Sequence, residues 1–482
     1  MEYFGHVIDG QEVASVDGAT MPSVDPYTRE PWATVALGGA EDAARAVAAA
    51  RAAFDSGPWP RMGFEKRQAI LHRLADLMEE HADELALADT HDMGKPITQA
   101  RHDVARSVWN FRFFADHARM TSSEAYPMDS GHHAFTQYDP AGVVVAISPW
   151  NFPLMLSTWK VAPALAWGNT VVLKPAEDTP VSVTILARLA VEAGFPPGVL
   201  NVVHGYGPDS VGSALTANPD VDRITFTGES GTGKIIAAAA SRNLVPVSLE
   251  LGGKGANIVF DDADLDNAVH WAIESIFRNA GQVCLAGSRL YLQRGIHDEF
   301  MARYTAAAEA LVVGDPKDPA TQFSAALASE EHFRKVTAFL DEASLGGGRV
   351  VTGGRFTDDR SDGWGVRPTI VADAPEDARV VREEIFGPVV VATPFDTEDE
   401  VVALANDTRY GLNAMVFTEN LSTAHRVSGR LKAGTVWVNC FFIRDLRAPF
   451  GGVGDSGVGR EGGTFSREFF TEPKAVVMQI TR

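Results

Sequence analysis

The chain has 482 residues, 45% of them hydrophobic, with Gly and Pro spread along its length, a globular composition long enough for two or three domains with sizeable cores. Its 42 Lys and Arg stand against 63 Asp and Glu, a formal charge of -21 that argues against nucleic acid or an anionic membrane as partner but leaves room for a local basic pocket. Cys284 and Cys440 are the whole cysteine content, so a disulfide framework is not expected and a reducing compartment fits.

The opening stretch "MEYFGHVIDGQEV" lacks a basic segment followed by an apolar one, and no apolar run nears the ~20 residues that cross a bilayer. With neither H-E-x-x-H nor C-x-x-C present, no metal site is expected. The expectation is a soluble, cytoplasmic chain. After a short N-terminal strand region, apolar residues at three-to-four spacing predict three helical stretches. They are "EDAARAVAAARAAF" from Glu41, "FEKRQAILHRLADLMEEHADELALADT" from Phe64 and "ARHDVARSVWNFRFFADHARM" from Ala100. "HHAFTQYDPAGVVVAISP" reads as two strands around the turn Asp139-Pro140-Ala141-Gly142, a hairpin.

Strands and helices then alternate. "VVVAI", "TVVLK", "VLNVVHG", "DRITF" and "VPVSLELGG" are apolar strands, with helices in "LMLSTWKVAPALAWG" and "VSVTILARLAVEAG". Such strands imply a parallel sheet covered on both faces, which binds nucleotides at the carboxyl ends of its strands. A second alternating block starts near "ANIVF", includes a helix from Asp264 to Asn279, and continues through "VVRE", "VVVATPF" and "GTVWVNC" to about Gly452. The tail "PKAVVMQI" is a strand without a local partner, expected to pair with "HHAFTQYD" or with the sheet of another subunit.

Several stretches carry possible chemistry. In "FTGESGTGKII", Gly228, Gly233 and Lys234 nearly spell a nucleoside-triphosphate loop, but Ile235 stands where a magnesium-binding hydroxyl belongs. It is a broken triphosphate loop, a site for another phosphate, or a glycine turn with no ligand. Cys284, in "NAGQVCLAGSR", is packing or a loop-borne nucleophile. Glu250, in "SLELGGK", is a surface or capping charge or a general base at a strand end. Asn151, between prolines in "ISPWNFPL", is a turn residue or an amide held fixed. Lys174 and Glu177 in "LKPAEDTP" are solvated or form a ribose clamp, and "GYGPDSVG" is a weak dinucleotide signal.

Taken in order, "PWNFP", "LKPAE", "FTGES", "LELGGK", "GQVCLAGSR", "EEIFGP" and "PFGG" resemble the NAD(P)-dependent aldehyde dehydrogenase superfamily over essentially the whole chain. The resemblance implies an α/β fold with a Rossmann-like NAD-binding domain (1–118 and 141–252), an α/β catalytic domain (253–452) and small β elements that bridge subunits (119–140 and 453–482). A homodimer or homotetramer is then expected. Cys284 would attack the aldehyde carbon, Asn151 and the Cys284 N–H would hold the oxyanion, and Glu250 would activate the hydrolytic water. A free thiol titrates near ~8.5, so a small thiolate fraction would be present at neutral pH.

The same resemblance places Ser148, Trp150, Gly207, Gly228, Ser230, Gly233 and Leu251 on the cofactor. Lys174 and Glu177 fall on the adenosine ribose, Glu384 on the nicotinamide ribose, and Phe386 beside the nicotinamide ring. Glu177 favours NAD over NADP by repelling a 2′-phosphate. Glu229 departs from the serine common after "FTG", close to where a pyrophosphate would pass. The segment "NCFFIRDLRAPFGGVGDSGVGREGG" resembles the 2-hydroxymuconate and 2-aminomuconate semialdehyde dehydrogenases, in which arginines hold the substrate carboxylate. The matching positions are Arg444 and Arg106, and arginine's planar fork suits a carboxylate. Arg106 could instead pair with Asp103, and Arg447 or Arg112 could point to solvent; Cys440 reads as packing. Alternatives are a broad-specificity or phenolic aldehyde dehydrogenase, a CoA-acylating enzyme (against which Glu250 counts), a P-loop NTPase and a non-catalytic crystallin-like protein.

Overall fold

The structure, a computed structural model, describes residues 1–358 and 363–480. Residues 359–362 of the expected catalytic half and 481–482 of the tail lie outside the described residues.

Five apolar strands, Val143–Ile147 (β1), Thr170–Lys174 (β2), Leu200–Val202 (β3), Arg223–Thr227 (β4) and Val247–Glu250 (β5), pair in parallel in the order β5-β4-β1-β2-β3. Helices on both faces bury them: Val143, Val144, Val145 and Ala146 are wholly inaccessible. Read from β3, the order is 3-2-1-4-5, a nucleotide-binding half in which the chain reverses direction at β1. Ligands bind such sheets beyond the carboxyl end of the reversal strand. That end carries Ser148 to Phe152, flanked by Lys174 at the end of β2 and Gly228 just past β4.

Seven later strands are Ala256–Val259 (β6), Arg289–Gln293 (β7), Arg349–Arg355 (β8), Val366–Ala372 (β9), Val389–Phe395 (β10), Asn413–Phe417 (β11) and Thr435–Val438 (β12). They form a second sheet in the order β8-β9-β10-β7-β6-β11-β12, parallel except for β8. The two sheets are joined by residues 251–255, so Glu250 is the last strand residue of one and stands at the border of the other.

Three local expectations are corrected. The helical stretch from Phe64 is two helices, Phe64–Glu80 and Ala82–Met93, because His81 leaves helical geometry (ψ 22). Its ring then bonds Glu84 at 2.8 Å, an acceptor in the first turn of the next helix. The third helix begins at Ile97, directly after the extended Pro96, and not at Ala100. The turn at Asp139–Gly142 makes no hairpin: His132–Pro140 and β1 belong to different sheets. Gly142 (φ +136) carries the chain between them, where a Cβ would collide with Asp222.

His132–Pro140 pairs antiparallel with the tail strand Thr471–Gln479, from Pro140 opposite Thr471 to His132 opposite Gln479, within one chain. The outer edge of Thr471–Gln479 has no partner strand among the described residues, and Val477 and Met478 on it are exposed. "VVRE" falls on the one-turn helix Arg379–Arg382 and its end. Helix Leu265–Phe277 starts where Asp264 caps the N–H groups of Asp266 and Asn267. No described helix is long and apolar enough to cross a membrane.

Candidate active site

The helix Leu265–Phe277 stops because Asn279 and Ala280 turn left-handed (φ 51° and 52°). That turn delivers Gln282 and Cys284 to the end of β1. Asn151, 2% exposed, donates through Nδ2 to the Gln282 carbonyl at 2.8 Å, and its own carbonyl accepts from Asn279 Nδ2 at 2.9 Å. Gln282 is fixed in turn by the Ala328 N–H on its Oε1 (2.9 Å). One N–H of the Asn151 amide is thus fixed on the segment that carries Cys284, which clamps the amide plane and leaves its second N–H.

Glu250 is 4% exposed, and neither of its carboxylate oxygens has a hydrogen-bond partner. A Cβ on Gly451 would stand 2.6 Å from its Oε1, so the backbone there approaches as only glycine permits. Burial raises the Glu250 pKa well above the carboxylate range, and the Glu461 carboxylate raises it further; Lys160, Arg444 and Arg460 pull the other way. Cys284 is partly buried and unbridged. Burial, then the charges of Glu384 and Glu250, push its thiol up to about 12, with Arg444 opposing. Resting thiolate is therefore scarcer than the ordinary cysteine value implies. The shared field of these groups gathers Cys284, Glu250, Glu384 and Arg444 into one constellation.

Glu384 accepts from the Gly253 N–H at 2.9 Å and lies against Gly252, where a Cβ would stand 2.1 Å from its Oε2. Burial lifts its pKa to about 7, against the pull of that N–H and of Lys335 and Lys254. Phe386 is held at φ +61, a strained conformation for a bulky residue, and its ring meets Trp150 edge-on at 5.2 Å. His332 secures both: Nε2 donates to the Phe386 carbonyl at 2.6 Å, and its ring lies 4.9 Å from that of Trp150. Burial lowers the His332 pKa to about 4, so it works as a neutral donor.

At the end of β2, the buried Lys174 donates to the Pro175 carbonyl (3.0 Å) and to Glu177 (3.4 Å), and the Ser148 N–H bonds the Lys174 carbonyl (3.1 Å). Helix Ser230–Ser241 starts at the end of β4 and leaves its first N–H groups without helical partners. Nothing lies within 4 Å of a Cβ placed on Gly207. Open space, a helix N-terminus and a lysine–carboxylate pair at neighbouring strand ends fit a dinucleotide. Gly228 turns the chain under Phe226, and Gly233 lets Leu251 pack against the helix, since a Cβ there would stand 2.6 Å from the Leu251 side chain. The Ser230 hydroxyl is engaged with the Asp455 carbonyl (2.7 Å). Glu229 is exposed and near enough to Glu384 to raise its pKa, so it faces the same crevice. Lys234, which a triphosphate loop would turn inward, is exposed and paired with Asp455 at 3.0 Å.

The Arg444 guanidinium lies 3.7 Å over the Phe450 ring and 4.6 Å over Trp159, with Nη2 buried and unpartnered. Burial and the nearby Arg106 charge lower its pKa to about 10. Arg106, also lowered to about 10 by burial, covers Trp109. Among the described residues neither arginine forms an ion pair. Asp103 is taken by Lys95 at 2.6 Å, which removes the alternative partner for Arg106. Arg447 pairs with Asp445 and Arg112 with Asp76 and Glu79, all toward solvent. Cys440 is partly buried against the second core.

Three participants escaped the sequence reading. Lys160 donates to Glu461 (3.0 Å) and Thr225 (3.0 Å) within the field of Glu250, and His332 braces the Trp150–Phe386 pair. A lysine in the otherwise apolar "LMLSTWKVAPALAWG" was the one available signal, because a buried ammonium requires a partner.

Residues 13–476 match the model of the aldehyde dehydrogenase family. Over all of both chains, the protein is 48% identical to a 2-hydroxymuconic semialdehyde dehydrogenase of Pseudomonas sp. strain CF600. It is 44% identical to a mitochondrial benzaldehyde dehydrogenase of Antirrhinum majus, over 100% of this chain and 90% of that one. The fold superposes on an aldehyde dehydrogenase of Bacillus cereus solved in complex with NAD+, with TM-score 0.96, 40% identity, and coverage of 99% and 97% of the two chains. With its unbridged loop thiol and buried carboxylates beside a dinucleotide crevice, the chain belongs to the aldehyde dehydrogenase family and is an NAD-dependent aldehyde dehydrogenase.

Proposed function

We propose that the protein oxidises an aldehyde that carries a distal carboxylate, a muconate-type semialdehyde, to the corresponding acid. The observations that support this reading are that Arg444 shares the field of Cys284, Glu250 and Glu461, that Arg106 lies close enough to feel its charge, and that neither arginine forms an ion pair among the described residues. Desolvated guanidinium groups without an ion-pair partner are costly, and a substrate carboxylate relieves that cost. The 48% identity to the 2-hydroxymuconic semialdehyde dehydrogenase supports the same substrate class, while the 44% benzaldehyde relative shows why identity alone cannot choose it.

In this reading the Cys284 sulfur bonds to the aldehyde carbon while the carbonyl becomes an oxyanion. The free N–H of Asn151 and the backbone N–H of Cys284 hold that oxygen; one such donor is worth roughly 10²–10³ in turnover. NAD, when bound, would supply the hydride acceptor, and loss of hydride would leave the substrate on Cys284 as a thioester. Lys174 and Glu177 would hold its adenosine ribose, and Gly207, Gly228 and Ser230 would flank its pyrophosphate. Glu384 would hold the nicotinamide ribose, with Trp150 and Phe386 beside the ring and Ser148, Gly233 and Leu251 shaping the floor. Glu250 takes a proton from water as that water attacks the thioester, and the acid departs as the C–S bond breaks. The unpaired edge of Thr471–Gln479 supports assembly into a homodimer or homotetramer, and the two unbridged cysteines fit the cytoplasm.

The test is NADH formation with 6-oxohexanoate and with hexanal, matched in length and differing in the carboxylate. A preference for the acid of at least about tenfold, lost in Arg444→Ala, is expected for a charge-assisted pair. Equal rates would keep the dehydrogenase and discard the carboxylate clamp.

A further inference from the structure

Between the end of helix Leu265–Phe277, the first turns of helix Ile97–Arg119 and residues 311–322 lies a cleft of about 330 Å³, lined among others by Gln99, His102, Glu274 and Arg278. Arg278 at its wall forms no ion pair among the described residues. Its Nε is buried without a partner, and Nη2 lies 3.4 Å from His102 Nδ1. Glu274 stands one turn earlier on the same helix and lines the same cleft without pairing with it. Asp103, which feels the Arg278 charge, is already bonded to Lys95.

Two connections tie this arginine to the reacting centre. Its guanidinium lies 5.4 Å from the centre of the Phe442 ring, and Phe442 stacks on Phe152, the neighbour of Asn151, at 6.3 Å. Phe442 itself is held left-handed (φ +62) two residues before Arg444, so the loop that carries the inner arginine also carries the ring under the outer one. On the other side, His102 precedes Arg106 by one helical turn and shares its face. Arg278 and His102 thus adjoin the two elements that carry Arg444 and Arg106, the loop of Phe442 and the helix Ile97–Arg119.

Charge gives that position a purpose. A chain of formal charge -21 repels an anionic substrate at a distance. At physiological salt this field is screened beyond about 8 Å, so a cation without an ion-pair partner is felt locally despite the net charge. We infer that Arg278, with His102 beside it, is the outer cation of the substrate entrance, which captures anionic aldehydes and passes their carboxylate inward to Arg106 and Arg444. The inference rests on the acidic-aldehyde reading and adds a specificity-determining residue to it; Arg278 takes no part in bond making.

The experiment compares wild type, Arg278→Gln and Arg278→Lys by the ratio of kcat/KM for 6-oxohexanoate to that for hexanal, at low and high ionic strength. Arg278→Gln should lower the ratio about tenfold and flatten its dependence on salt, and Arg278→Lys, which keeps the charge, should restore both. An unchanged ratio in Arg278→Gln, or an equal loss in both variants, would overturn the inference, the second because shape and not charge would then matter. If wild type prefers the acid, and Arg444→Ala loses that preference while Arg278→Gln keeps it, the outer cation alone is refuted. If wild type has no preference, both readings fall together.

Discussion

The two sides of the crevice treat charge in opposite ways. On the dinucleotide side the two lysines have partners of the chain's own, Lys174 with Glu177 and Lys234 with Asp455, and the Ser230 hydroxyl bonds the Asp455 carbonyl. On the catalytic side Glu250 has none, Arg444 keeps a buried Nη2 without one, and the Cys284 thiol is pushed up to about 12 by burial and then by the carboxylates Glu384 and Glu250. The first arrangement is stable by itself and tolerant of solvent. The second stores unfavourable electrostatics where a reaction makes and moves charge, which is where perturbed groups concentrate. Lys160 and Glu461 mark the border, an ion pair that shares the field of the unpartnered Glu250.

Breaking the catalytic side should have the larger consequences. Cys284→Ala is expected to lower turnover by at least about 10³-fold, as loss of a nucleophile does, while NAD binding measured by calorimetry stays near wild type. Retained turnover would move the nucleophile elsewhere. Glu250→Gln should slow hydrolysis by roughly 10²–10⁴ and leave a thioester adduct on Cys284 visible by intact mass. The same variant sharpens the electrostatic account. Because the thiol pKa is raised, alkylation of wild-type Cys284 by iodoacetamide should be slow at neutral pH and keep rising with pH beyond 9, toward the value of about 12. Where Glu250 is ionised, removing its charge stabilises the thiolate, so Glu250→Gln should alkylate faster at the same pH; slower alkylation would contradict the assigned sign. The dinucleotide side should respond least. Glu177→Ala is expected to erode the preference for NAD over NADP by about tenfold, read as the ratio of kcat/KM values, because one repulsive carboxylate is lost and the strand ends remain.

Much of this was legible in the chain, for reasons that differ from place to place. The strand–helix alternation from Val143 to Glu250 could be read because fully buried parallel strands are continuously apolar. The break at His81 could not, because the apolar spacing runs straight through it and only the local bond to Glu84 shows the new helix. The turn at Asp139–Gly142 was a correct turn signal with the wrong consequence: turn residues specify a change of direction, not which sheet receives the next strand. The tail strand's partner was anticipated, since an isolated strand needs an edge and "HHAFTQYD" offered one.

The motifs around Asn151, Glu250, Cys284 and Glu384 and the parallel strands near them were legible in the sequence itself, because each is local: a residue type within a few positions of a strand end or glycine turn. Which groups then share a field was decided by tertiary structure. Lys160 and Glu461 meet across 301 positions of sequence, His332 reaches Trp150 and Phe386 from a separate helix, and Arg278 finds His102 across a cleft. Electrostatic energy depends on distance and burial, neither of which is written in residue order, so the raised thiol and the orphaned Glu250 emerge only when the two sheets close around them.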